Sequence, residues 1–389
     1  MSLLPTTDSE TLSAAGSLLE LDAKWLQPFE AEDPFHPGMV VRGAISRRPD
    51  HRYGALAFTH VGGRPAPQRL YATPKLHYPF DRAGRFHFPP LRRVHLYEKL
   101  DGTNVLAYRY HDADGRAYLS YKLRLAPFLR NSRFGPFLDF WRELLLRHPG
   151  IPQLVERNRC HVSLEMFGRR NTHLILYEAE LETAVLFGIR DDGQLVPAHH
   201  LETLGVPVVP LWGLLEAGED PVARYGELRA EMEARMRKAD DDKLVGNEGA
   251  VWCVTDEGGK VSLWKCKPES VEAIHWAGGL NKEAVMATCW NLLETEDSLT
   301  YETLEPLLLE EYTAEDIARF RVHIDACIAE VAAEFRFREE VLARYDALGT
   351  SIWEDKGVVM RQLAPHYRRE KMKKVYAAIV QARPAPRGD

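Results

Sequence analysis

Lys99 and Lys265 stand in the two stretches of this chain best suited to phosphate chemistry. Lys99 lies in Glu98-Lys99-Leu100-Asp101-Gly102-Thr103-Asn104, and Lys265 in Trp264-Lys265-Cys266-Lys267. Between them come Glu165, in Leu164-Glu165-Met166-Phe167-Gly168, and Glu248, in Asn247-Glu248-Gly249-Ala250-Val251. A lysine amine becomes a nucleophile when neighbouring cations or desolvation lower its pKa. Lys265 and Lys267 are such cations if the fold brings them to Lys99. They would also neutralise charge on a triphosphate, the main demand of nucleotidyl transfer. Glu165 and Glu248 offer hard oxygen ligands for Mg²⁺, or acceptors for ribose hydroxyls. Each piece alone has a plain structural reading: a Lys-x-Asp-Gly surface turn, a strand that starts with a charge, a half-exposed strand with snorkelling lysines. Their joint occurrence, in this order, points to attack on a nucleotide phosphate.

The elements around these residues must place them. Arg93–Tyr97 reads as a strand delivering Lys99 to a turn, where Gly102 allows a tight bend and Asp101 orders the backbone. Trp264–Lys267 alternates, so Lys265 and Lys267 share one face and Cys266 takes the other. Upstream, 38–45 and Tyr53–Val61 read as strands, and the Gly62-Gly63-Arg64-Pro65-Ala66-Pro67 stretch as a loop. Tyr71–Phe80 is a proline-spaced segment with one lysine and several aromatics. Val105–Tyr110 and Ala117–Leu123 predict a hairpin around Asp112-Ala113-Asp114-Gly115. Phe134–Arg147 predicts a helix; Val162–Phe167, Leu174–Glu180 and Ala184–Arg190 predict strands. Asp220 caps a helix with Pro221 at its first position, running to about Lys238.

Residues 1–35 read as an irregular segment with one short helix near Ser17–Trp25, and 36–268 as the catalytic domain. From 269 to 389 the pattern turns helical. Thr313-Ala314-Glu315-Asp316 resembles a capping box. It opens an amphipathic run through Ile317, Phe320, Ile324, Ile328, Val331 and Phe335. The end of the chain carries Arg368, Arg369, Lys371, Lys373 and Lys374, which fits a solvated helix face or salt-sensitive RNA contact equally. The fold class expected is α+β: antiparallel sheets with helices, then an all-helical C-terminal domain.

The 389 residues imply two or three domains, and 45% hydrophobic content supplies ample core. A net charge of −7 does not advertise nucleic-acid binding, although a groove can be basic on an acidic protein. The five cysteines, at 160, 253, 266, 289 and 327, include no C-x-x-C and read as thiols of a reducing cytosol. No apolar stretch is long enough to span a membrane, and the start lacks a signal-peptide pattern, so the expectation is a soluble cytoplasmic protein with no membrane partner. There is no P-loop, which argues against a fused kinase. His161-Val162-Ser163 has no second H-x-[ST] partner and reads as strand; His199-His200 reads as loop. No internal repeats are present.

The Lys, Glu, Glu, Lys-x-Lys series resembles the covalent nucleotidyltransferases: RNA ligases, DNA ligases and mRNA capping enzymes. Helices after the last lysine motif, in place of an OB barrel, resemble the bacteriophage-type tRNA-repair RNA ligases. That likeness covers 36–268 by motif and the remainder by type, and implies a ligase domain of ATP-grasp-like form. It implies that Lys99 takes AMP from ATP, with Lys265 and Lys267 catalytic. Mg²⁺, with Mn²⁺ as an alternative, would be held by Glu248 and Glu165. Arg42 in Val41-Arg42-Gly43 resembles the family's triphosphate arginine, and Lys75 its upstream lysine, with His77 and Tyr78 in place of phenylalanines. Lys122 and Arg124 resemble its basic motif. Phe187 matches the strand aromatic that stacks on adenine, and Glu98 an acceptor for the adenine amino group. Glu98 and the Gly102-Thr103-Asn104 ending are closer to RNA-editing ligases, where the asparagine serves sealing. The partner implied is RNA with 5′-phosphate and 3′-hydroxyl ends, prepared by a separate kinase–phosphatase or nuclease. The alternatives are a DNA ligase, a GTP-dependent capping-type enzyme, or a non-catalytic RNA-binding relative.

Overall fold

The computed structural model describes residues 6–48, 50–80, 85–132, 135–239, 243–271, 282–295, 298–309, 312, 314–368 and 371–383. The chain divides into two compact units, Met1–Gly278 and Gly279–Asp389.

The first unit is built on three principal antiparallel sheets. Its N-terminal part is not irregular as the polar composition suggests. Helix α1 (Thr6–Leu19) covers a meander of β1 (Leu26–Glu32), β2 (Val40–Ser46), β3 (Leu56–Val61) and β4 (Arg64–Leu70). Leu12, Ala15 and Leu19 of the helix pack on Leu26, Ala44, Ala55 and Ala57. The small alanines let helix and sheet approach closely. The loop expected at 62–67 is a two-residue hairpin instead. Gly62 and Gly63 both take positive φ, at 58° and 75°, which suits the right-handed twist of the strands. The prolines of β4 are tolerated because β4 is an edge strand.

The other two sheets carry the candidate chemistry. One runs β10 (Leu195–Pro197), β9 (Glu182–Ile189), β8 (His161–Phe167), β6 (Thr103–His111), β7 (Ala117–Lys122). The other runs β11 (Leu211–Glu216), β5 (Leu91–Lys99), β14 (Gly249–Asp256), β15 (Val261–Cys266). A short ribbon pairs β12 (Arg237–Lys238) with β13 (Leu244–Val245). Strand β6 is buried on both faces, so its sequence lacks polar alternation. Val105 and Ala107 pack with Trp141, Leu144, Ile151 and Leu154 of helices α2 (Phe137–Arg147) and α3 (Ile151–Asn158). Leu106, Tyr108 and Tyr110 face Phe58 of the N-terminal sheet. Strand β5 divides likewise: Val94 and Leu96 pack with Trp252 and with Tyr225, Leu228 and Met232 of helix α4 (Pro221–Arg235), while Tyr97 joins the core on the other side. Asp220 caps α4 as expected, accepting from the amides of Val222 and Ala223. The 105–110/117–123 hairpin also forms as read, with Leu106 opposite Lys122.

Leu174–Glu180 is not a strand. Ile175 makes only an isolated bridge to Leu244. The Leu174 and Ile175 amides are both taken by the Asp101 carboxylate, at 2.6 Å each, so neither can join a ladder.

Among its described residues the second unit contains helices and no strand, the α-helices being α5 (Lys282–Thr295), α6 (Tyr301–Leu308), α7 (Ala314–Arg319), α8 (Arg321–Asp346), α9 (Lys356–Leu363) and α10 (Met372–Ala382). The fold class is thus the α+β arrangement expected. Thr313 lies outside the described residues. The apolar run after it is real but interrupted: α7 ends at Arg319 and Phe320 stands before the first residue of α8. Ile317, Ile324 and Val331 still bury together with Cys289 and Leu304. Of the basic cluster, Arg369 is outside the described residues, Lys374 pairs with Glu334 at 3.4 Å, and Lys371 lies over the Phe337 ring. All five cysteines are buried and unbridged. Among the described residues no helix is long and apolar enough to cross a membrane.

Candidate active site

The pairing of β5 with β14 sets Gly249 opposite Lys99, and β14 with β15 sets Ala250 opposite Cys266. Lys99 at the end of β5 therefore meets, at one end of one sheet, the two ends of a much later hairpin: Glu248 just before β14 and Lys267 just after β15. Glu248 bridges the two lysines. Its Oε2 accepts from Lys99 Nζ, and its Oε1 lies 2.9 Å from Lys267 Nζ. Lys267 and Glu248 are buried, while a fifth of the Lys99 side chain remains exposed. The chain must come very close here. A Cβ on Gly249 would lie 2.3 Å from the Cys266 carbonyl oxygen.

Glu165 reaches the same place from the other sheet, through β8. Asn104 of β6 donates its Nδ2 to Ser163 Oγ at 2.9 Å, to the Leu164 carbonyl at 3.1 Å and, more weakly, to Glu165 Oε2 at 3.4 Å. The two carboxylates sit in opposite electrostatic states. Burial pushes Glu248 up, but the charges of Lys267 and Lys99 outweigh it and hold the carboxyl down at about 2. Burial pushes Glu165 up too, and there the attraction of Lys99 and the Asn104 hydrogen bond do not compensate, leaving it at about 7. The negative Glu248 adds to that rise.

The turn after Lys99 is held differently from the expectation. Gly102 is not in the left-handed region. Glycine is needed because a Cβ would lie 2.2 Å from the Met166 carbonyl oxygen on β8, where the two sheets meet. Asp101 does order the neighbourhood, but by pinning the 174–175 backbone, while its own amide donates to the Tyr177 hydroxyl at 2.7 Å. Glu98 directly precedes Lys99 on β5. Its carboxylate accepts from Asn247 Nδ2 at 2.7 Å, and burial raises its pKa, partly offset by that bond.

Lys265 lies two residues before Lys267. Its amide donates to the His77 carbonyl at 2.9 Å, and its ammonium sits 4.6 Å from the centre of the Tyr78 ring. The Tyr71–Phe80 segment thereby meets β15 at His77, whose pKa is lowered by burial and by the charges of Lys75 and Lys265. Arg124 is close enough for its charge to favour ionised Glu165.

Two expected site residues, Arg42 and Lys122, stand elsewhere, and a third, Phe187, lies in the core beside Ser163. Arg42 forms an ion pair across β1 and β2 with Glu30, 2.6 Å away, on the N-terminal sheet. Lys122 is only 1% exposed and gives its ammonium to three carbonyls, those of Gly54, Leu123 and Arg124, at 3.1, 2.8 and 2.8 Å. These use its full donor set, so it fastens the β7 end to the Gly54 turn. Phe187 is buried in the main hydrophobic core opposite Ser163. Conversely, Ser163, Asn247 and Tyr177 have site-organising bonds that no sequence motif announces.

No family model matches the sequence, and no curated protein matches it. Among solved structures, the chain is similar to an archaeal ATP-dependent RNA ligase in two forms. One shows 13% identity over 95% of both chains with a TM-score of 0.46; the other shows 15% identity over 87% of this chain and 80% of that one, with a TM-score of 0.43. A provisionally assigned ATP-dependent DNA ligase from Aquifex aeolicus matches at 14% identity over 88% of this chain and 81% of its own, with a TM-score of 0.42. An RNA ligase of Naegleria gruberi, in a form with ATP and Mn, matches at 12% identity over 64% of this chain and 98% of its own, with a TM-score of 0.33.

Proposed function

We propose that this chain is an ATP-dependent RNA ligase that works through a lysyl-AMP on Lys99. The observation that carries the reading is the Lys99–Glu248–Lys267 bridge with Glu165 facing it. A partly exposed lysine, flanked by a buried cation and two carboxylates, has the chemistry of a nucleophile for a nucleoside triphosphate.

In the first step Lys99 Nζ, as the free amine, attacks the α-phosphorus of ATP. A P–N bond forms, the α–β P–O bond breaks and pyrophosphate leaves with the electron pair. Lys265 and Lys267 supply positive charge where the leaving group becomes more negative. In the second step an RNA 5′-phosphate oxygen displaces Lys99 from the AMP phosphorus. In the third an RNA 3′-hydroxyl attacks the adenylylated 5′-phosphate, closes the phosphodiester and releases AMP. Asn104, fixed by Ser163 and Glu165, is the residue proposed to serve the sealing steps.

The residues fit a divalent cation held jointly by protein and nucleotide. Mg²⁺ commonly takes one or two carboxylates plus substrate phosphates, and Glu165 with Glu248 is such a pair. Glu165, left with a raised pKa by burial, gains most from an added positive charge. When bound, Mg²⁺ or Mn²⁺ would neutralise phosphate charge. Glu98 with Asn247 provides the acceptor and amide suited to an adenine edge. Cytoplasmic location, and reliance on a separate end-healing kinase–phosphatase, belong to this proposal.

The test is the intact mass of the protein after incubation with Mg²⁺ and ATP, or GTP in parallel, beside Lys99→Ala. One added AMP, absent in the variant, is expected, followed by its transfer to 5′-phosphorylated RNA. A GMP adduct, or no adduct from nucleotide-free protein, overturns the reading.

A further inference from the structure

The Tyr71–Phe80 segment touches both sheets that carry the site. At one end, Thr73 Oγ1 lies 3.0 Å from Ser163 Oγ on β8, and the same Ser163 oxygen accepts from Asn104. At the other, His77 bridges to Trp264 on β15 and its carbonyl takes the Lys265 amide. One residue further, the Tyr78 ring stands under the Lys265 ammonium. Lys265 is only 9% exposed, so the ring contact occurs in a largely water-free setting, where attraction between a cation and an aromatic face is strongest.

The ring itself is fixed from behind. Tyr78 stacks on Phe80 with centroids 5.1 Å apart, and Phe80 packs edge-on against Phe86 and Tyr225. Tyr225 in turn donates its hydroxyl to the Lys265 carbonyl at 3.1 Å. The backbone and the ammonium of Lys265 are therefore held by one aromatic assembly. A long lysine side chain otherwise loses much rotamer freedom when it engages a phosphate. Here the restriction is in place before the nucleotide arrives.

Resting on the function proposed above, we infer that Tyr78 is a positioning residue for nucleotidyl transfer. Its ring holds the Lys265 ammonium ready for the departing phosphates. The effect belongs to the step in which pyrophosphate leaves. Transfer of AMP from Lys99 to RNA involves no pyrophosphate and depends on it less.

Incremental fluorination of the ring isolates this contribution without removing the side chain. Phenylalanine, then its mono-, di- and trifluoro analogues, is placed at position 78 by codon reassignment in the full chain. The single-turnover rate of AMP attachment at saturating ATP and Mg²⁺ is then measured. Each fluorine weakens the negative face of the ring at nearly constant shape. We expect the rate to fall stepwise, by roughly ten-fold across the series, with the rate of AMP transfer to RNA from the preformed adduct changing by less than about two-fold. In a Lys265→Ala background the series is expected to be flat. A flat series in the wild-type background, or an equal slope with Lys265→Ala, overturns the positioning role. Absence of any adduct in the unsubstituted protein overturns instead the ligase reading on which it rests.

Discussion

Glu248 and Glu165 are both buried carboxylates, yet the two sheets that present them put them in opposite states. Glu248 arrives where β5, β14 and β15 end together, and two lysine ammoniums clamp it. Glu165 arrives on β8 beside the Asn104 amide and the Ser163 hydroxyl that holds it. One carboxyl is held at about 2 and the other at about 7. Burial alone does not decide the charge of a site group; the partners that the tertiary fold delivers decide it. In the nucleotide-and-metal site proposed above, a pair split this way would supply one permanent negative charge and one that appears when a cation comes.

The sharpest way to break the comparison is to remove what both carboxylates face. Lys99→Ala should abolish AMP attachment, a loss of at least about a thousand-fold as expected for deleting a nucleophile, read by intact mass. It should also raise the Glu165 pKa further, because Lys99 is the charge that most favours its ionised form. Carbon-13-edited NMR of labelled glutamate would show the shift.

Glu248→Ala comes next. It leaves Lys99 and Lys267 facing each other without the carboxylate, and loss of one partner from a buried ion pair costs about 3–5 kcal/mol. Urea unfolding of the nucleotide-free protein should show this. A loss below about 1 kcal/mol, the range of exposed pairs, would mean that the bridge is solvated and the contrast with Glu165 false.

The two carboxyls should also separate in pH. The folded pKa of Glu165 is raised above its ordinary 4.5, so its contribution to stability is full below that value and is lost as pH rises through about 7. Glu248 is the reverse: its contribution is present above 4.5 and is lost as pH falls through about 2. Glu165→Gln should therefore flatten the stability profile between pH 4.5 and 7 by about 2–3 kcal/mol. Thermal unfolding across that window checks it, and an unchanged slope would place Glu165 in an ordinary ionised state.

Two smaller effects sharpen the boundary of the site. Lys122→Met removes an ammonium from three carbonyl acceptors and should cost about 1–3 kcal/mol of stability. AMP attachment at saturating ATP should stay within a few-fold once the protein is folded, whereas a nucleotide-binding Lys122 would raise the KM for ATP instead. Arg42→Ala should change stability by less than about 1 kcal/mol, since its pair with Glu30 is largely exposed, and should leave AMP attachment unaltered.

Much of the scaffold was legible locally. The hairpin after Asn104, the Asp220 cap with its proline and the helical character from Lys282 onward follow from alternation, capping and apolar spacing, all short-range properties. The same short-range reasoning failed where distant groups intervened. The 174–180 stretch has strand composition, but the Asp101 carboxylate captures two of its amides. The Gly-Gly and proline-rich stretch at 62–67 has loop composition, but an edge position lets it pair.

The sequence by itself determined which groups could do the chemistry: Lys99, Glu165, Glu248, Lys265 and Lys267 are named by residue type and order, because nucleophilicity and charge are properties of side chains. Which of them meet was decided only by the tertiary structure. Strand register put Lys99 and Lys267 on the same carboxylate, sent Lys122 to a cage of carbonyls and Arg42 to Glu30, and laid Tyr78 under Lys265. Those outcomes depend on close backbone approaches, between strands distant in the chain at Gly102 against Met166 and between the successive strands β14 and β15 at Gly249 against Cys266. No local pattern encodes such a distance, because it exists only once the sheets have packed.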